Sequence, residues 1–242
     1  LCIFQTWITW GTYGHAIQAA TKEFHGNHFA PLIGVGLAYF FAAVVIPSGV
    51  LLILTKLEKD EGGAYTRKGV FRSLLGGLLG AAGAGFLVLA LADGPGASFT
   101  MPLVFCCVPV VSTFYQLKKD PPAPGSWPRQ RKFRFFAGLA LLLLFIVAVL
   151  RAKSSLATPG GGVEVDPGSR HFFWTLGVIF SWGFYVPVMH QGTTAMQGKN
   201  GLAKGMRTLI MVGLAYALVT VLAPLALMFV TGRFAALVAL GA

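Results

Sequence analysis

Apolar residues fall along this chain in long unbroken runs, and short charged stretches separate the runs. Runs of roughly 20 residues are long enough to cross about 30 Å of hydrocarbon as helices. They show no period-two alternation, which argues against a β-barrel. The pattern predicts seven complete spans, at 1–20, 31–54, 70–92, 99–117, 135–150, 171–189 and 205–230, with an eighth starting near Phe234. The first is polar for a membrane helix. It carries Gln5, Thr6, Thr9, Thr12, Tyr13, His15 and Gln18, so one side must line a cavity or pack on protein. The third is rich in glycine, with Gly76 and Gly80 in a G-x-x-x-G pair and Gly83 and Gly85 beyond it. Such spacing predicts a central, tightly packed helix. Pro102 and Pro109 each remove a backbone donor from the fourth span, which predicts a broken helix, and Pro187 predicts a bend or an end in the sixth. The fifth, almost purely Leu, Ala, Val, Phe and Ile, is expected to be the most lipid-exposed.

Part of the pattern occurs twice. Trp10-Gly11-Thr12-Tyr13, Gly36-Leu37-Ala38-Tyr39 and Pro47 return as Trp182-Gly183-Phe184-Tyr185, Gly213-Leu214-Ala215-Tyr216 and Pro224. The first blocks are offset by 172 positions and the later two by 177, which one insertion of five reconciles. This predicts an internal duplication: a first copy over 1–152, a linker over 153–170 with Pro159-Gly160-Gly161-Gly162, and an incomplete second copy over 171–242. The copies begin at spans one and six. Five spans separate them, an odd number, so the second copy enters the membrane from the opposite face. The expected fold is an all-α polytopic membrane protein built of inverted-topology five-helix repeats. In such repeats the binding site lies near the midplane between the copies.

Composition agrees with a membrane chain: 55% of residues are apolar and 11% charged, against about 25% charged in a soluble domain. Mean hydropathy is +0.71. The net charge of +11 does not imply nucleic acid, because the basic residues sit in loops between apolar runs. Fourteen Lys and Arg fall on one predicted side and five on the other, which predicts a cytoplasmic N-terminus. Cys2, Cys106 and Cys107 match no metal spacing, and the five histidines are scattered without a pair on one helix. No phosphate-binding loop, nucleophile elbow or zinc signature occurs. No enzyme, metal or cofactor is expected.

Five-helix halves in inverted order, a polar aromatic first helix in each half, and a Gly/Ala-rich third helix before Met101-Pro102-Leu103-Val104-Phe105 resemble the drug/metabolite transporter superfamily. Its EamA-like and sugar-uptake or rhamnose-transporter-like branches look nearest. The resemblance implies a secondary-type carrier of a small polar or amphipathic solute, sugar-like or drug-like, working by alternating access in a bacterial inner membrane. Spans one and six would then line a central cavity with Trp10, Tyr13, His15 and Gln18 from one copy and Trp182, Tyr185, His190 and Gln191 from the other. Aromatic faces stack on rings or apolar solutes, while Gln and His orient a neutral ligand. No Asp or Glu lies inside a span, and Asp93 sits at an edge. That leaves facilitated diffusion, exchange, coupling through His15, or a coupling site in helices beyond this sequence. Family members usually have ten spans, so this chain is expected to be a fragment, or a shortened relative completed by a homodimer or membrane-complex partner. The rival expectation is a non-transporting, transporter-like subunit of a larger membrane complex, in contact with lipid or pigment.

Overall fold

The computed structural model describes residues 2–23, 29–57, 62–93, 96–119 and 169–231, with isolated positions between 121 and 147; side chains are described from Thr12 onward. Every regular element among the described residues is helical: α1 (Cys2–Glu23), α2 (Phe29–Phe40), α3 (Ile46–Lys56), α4 (Arg67–Asp93), α5 (Ala97–Lys119), α6 (Ser169–Ala195), α7 (Gly201–Ala217) and α8 (Ala223–Val230). A π-helical turn at Phe41–Val45 joins α2 to α3, and another at Leu218–Leu222 joins α7 to α8. Each pair therefore forms one long rod.

Five segments are long and apolar enough to cross a bilayer: Phe29–Lys56, Arg67–Asp93, Ala97–Lys119, Arg170–Ala195 and Gly201–Val230. These are the marks of an integral membrane protein. α1 has the length of a span, at 22 residues, but its glutamines, threonines and histidine keep it out of that set. The expected fifth span lies mostly outside the described residues. Phe136, Leu144 and Val147, described within it, are exposed. The start of an eighth span and most of the linker also lie outside.

Two expectations of a break are corrected: α5 runs unbroken through Pro102 and Pro109, and α6 does not end at Pro187 but continues to Ala195. A proline in a membrane helix costs one backbone hydrogen bond. A true break would strand several groups where no water can satisfy them, so the helix carries on.

α4 is the central element. Its small-residue faces let two neighbours approach closely. Along α6 the contacts run Gly69 to Ala195, Ser73 to Gly192, Gly76 to Met189, Gly83 to Trp182 and Phe86 to Gly177, an antiparallel register over most of the helix. A second face takes α7, where a Cβ on Gly77 would lie 2.5 Å from the Val212 carbonyl oxygen and 2.7 Å from Ala215 Cβ. α1 runs antiparallel to α5, with Gly14 against Met101 and Gln18 against Gly96. α5 runs parallel to α6, as Phe99 meets His171 and Tyr115 meets Gln191. α1 and α6, which carry Trp10 and Trp182, thus run in opposite directions.

The two bulged rods meet reciprocally. Gly36 packs on Thr220 and Val221, while a Cβ on Gly213 would lie 2.6 Å from Val44 Cγ2 and 2.9 Å from Ala43 Cβ. This register is antiparallel. Tyr39 and Tyr216 stack between these contacts, with centroids 4.0 Å apart and planes 10° from parallel.

Both ends of the bundle are tied. At one, Thr66 Oγ1 accepts from Gly69 N–H at 2.9 Å and donates to the Ala195 carbonyl at 2.7 Å, capping α4 and holding it to α6. Buried Arg207 donates to the Gln197 carbonyl at 3.3 Å and lies 5.9 Å over the Tyr65 ring. Burial raises the Tyr65 hydroxyl pKa, and Arg207 partly offsets that. At the other end, Trp174 Nε1 donates to Asp93 Oδ2 at 3.0 Å, and His171 Nδ1 lies 3.0 Å from the Ala90 carbonyl oxygen.

Candidate functional site

Midway along the bundle, aromatic side chains from four elements converge. Tyr13 of α1, Tyr39 of α2, Trp182 and Tyr185 of α6, and Tyr216 of α7 each lie within about one turn of the middle of their helix or rod. Tyr39 and Tyr185 share a hydroxyl–hydroxyl hydrogen bond of 3.0 Å. Tyr39 stacks on Tyr216, and Tyr13 lies 6.4 Å from Trp182, centroid to centroid, at a tilt of 43°.

The glycines of α4 make room for this group. Trp182 lies against Gly83, where any Cβ would strike the indole, and its Nε1 donates to the Gly80 carbonyl at 3.2 Å. A Cβ on Gly80 would lie 2.9 Å from the Tyr216 ring and 3.3 Å from that of Tyr185. One helix thus seats three aromatic rings because its side chains there are hydrogen atoms. Leu32 and Val35 bridge the cluster, packing against both the Trp182 side and the Tyr216 side.

Of the eight residues expected to line a cavity, three meet here: Tyr13, Trp182 and Tyr185. Trp10 lies on α1, but its side chain is outside the described residues. Gln18 is committed elsewhere. Its Oε1 accepts from Ala97 N–H at 3.0 Å, satisfying one of the free donors at the start of α5. Gly96 precedes that helix at φ 98°, and a side chain there would also crowd Gln18. Gln191 donates to the Tyr115 hydroxyl at 3.2 Å, two turns from the cluster. His15 and His190 are exposed. Tyr39 and Tyr216 were missing from the expected set. Their signal was the Gly-Leu-Ala-Tyr block, which occurs twice and places a tyrosine near the middle of each rod.

The chemistry of the cluster is neutral. Phenol hydroxyls both donate and accept, and the indole N–H is already engaged. Among the described residues no three His, Cys, Asp or Glu are grouped to hold a metal ion. Comparison with known protein families, characterised proteins and solved structures finds no match. The resemblance to drug/metabolite transporters therefore rests on the sequence features alone.

Proposed function

We propose that this chain is a carrier of a small, uncharged polar or amphipathic solute, of the drug/metabolite transporter type, with the tyrosine–tryptophan cluster as its solute site. The observation that carries the reading is the reciprocal meeting of the two rods. Residues 36, 39 and 43–44 correspond to 213, 216 and 220–221 at the single offset of 177. Each glycine packs on the counterparts of the other's neighbours, and the two equivalent tyrosines stack on one another. A local twofold axis across antiparallel rods supports inverted repeats, and inverted-repeat carriers bind at the midplane between copies. The reading keeps the N-terminus in the cytoplasm of a bacterial cell. The loops after α3 and α6 share one end of the bundle, and most of the described Lys and Arg lie there.

The solute is uncharged because the cluster offers no compensating charge, and an unpaired ion at mid-membrane costs several kcal/mol. Ring faces and phenol hydroxyls suit a hydroxylated ring. The test is osmotic swelling of proteoliposomes in neutral monosaccharides and nucleosides, with their charged phosphate and amino derivatives alongside. Entry of a neutral solute above protein-free vesicles, cut tenfold or more by Tyr185→Phe while stability falls by no more than the about 0.5–1 kcal/mol of the lost bond to Tyr39, is the expected result. Equal permeability with and without protein across the whole set overturns the reading.

A further inference from the structure

We infer that the two π turns are a coupled pair of hinges, each held in place by the glycine of the opposite rod. In each turn the hydrogen bond spans five residues: Ile46 N–H to the Phe41 carbonyl, and Ala223 N–H to the Leu218 carbonyl. Such turns are rare, appear as single bulges inside α-helices, and concentrate at functional positions. Here they fall at the same place in both copies, 177 positions apart, with Pro47 and Pro224 each two residues beyond.

Proline alone does not explain them. Pro102, Pro109 and Pro187 lie inside α5 and α6, which remain α-helical throughout. What sets the rods apart is their crossing. Ala43 and Val44, which pack on Gly213, belong to the first π turn, and Thr220 and Val221, which pack on Gly36, belong to the second. Each bulge is thus seated on the partner's glycine, and a change in one alters the seat of the other. The segments beyond the bulges, α3 and α8, lead to opposite ends of the bundle. A kink of 20° at the bulge moves the tip of such a segment by about 4–6 Å. One end opens as its hinge bends, and the shared crossing transmits that bend to the hinge serving the other end. The inference uses the pairing of the rods but does not need the chain to carry a solute.

The experiment is pulsed electron-spin distance measurement on the full chain in lipid nanodiscs, with Cys2, Cys106 and Cys107 replaced by serine. One label pair, at Thr55 and Lys68, reads α3 against α4; a second, at Thr231 and Ala92, reads α8 against the other end of α4. All four positions are exposed. Each pair should give two distances about 4–6 Å apart, and Gly36→Ala should shift the populations at both ends threefold or more. Thr220→Val is the milder second variant. It removes the Thr220 hydroxyl's bond to the Tyr216 carbonyl, 2.8 Å, and should also shift both ends. A single distance at both ends overturns the inference, as does a shift confined to one end. Coupled distances without solute flux leave the hinges standing and remove the carrier; flux through rigid rods does the reverse.

Discussion

The two bulged rods share a sequence block, a π turn and a buried proline, yet they live in different surroundings. Only 17% of the most apolar stretch of Phe29–Lys56 is buried, against 44% for Gly201–Val230. The second rod is gripped between α4 and the first rod, so Ala215 is buried where its counterpart Ala38 is exposed. Their bulges differ as well. Thr220 caps the Tyr216 carbonyl inside the second, whereas the matching residue of the first is Ala43, which has no hydroxyl. The same backbone irregularity thus occurs in both rods, while its environment and bracing differ. The comparison assigns the geometry to the block itself and the stability to the neighbours.

The contact with α4, which only the second rod has at Gly77, carries the largest expected effect. Gly77→Val drives a side chain into the Val212 backbone, which cannot turn aside, and should cost about 3 kcal/mol in thermal unfolding in detergent. Next come the paired glycines. Gly36→Ala and Gly213→Ala should each cost about 2 kcal/mol from overpacking. Gly34→Ala, two residues from Gly36 with open space where its Cβ would go, should instead gain about 0.5–1 kcal/mol. A loss at Gly34 similar to that at Gly36 would mean that helix propensity, not the crossing, governs the rod. Smaller again is Thr220→Val, expected to cost about 1 kcal/mol with no equivalent sensitivity at Ala43→Gly beyond its helix-propensity cost. Tyr39→Phe should cost about 0.5–1 kcal/mol by losing the bond to Tyr185 while keeping the stack on Tyr216.

Much of the fold was legible because lipid imposes length and uniform hydrophobicity, and small residues announce close approach. Five of the expected spans and the central α4 follow from those rules. Helix continuity through Pro102, Pro109 and Pro187 was not legible, since hydropathy says nothing of how a bilayer penalises a broken ladder. The site was half legible. Tyr13, Trp182 and Tyr185 stand out as polar-tipped aromatics at mid-span. Gln18 and Gln191 look identical to them in sequence but are spent on Ala97 and Tyr115, partners set by tertiary contact. Tyr39 and Tyr216 were hidden by being read as markers of repetition, not as side chains with chemistry.

The commitments of α1 carry a consequence for how this protein is made. More polar than the five apolar spans, that helix places Gln18 on the Ala97 N–H and Tyr13 beside the Trp182 ring. Synthesis runs from the N-terminal side, so Tyr13 is made 169 residues ahead of Trp182. Until Trp182 emerges, α1 lacks that ring to pack on.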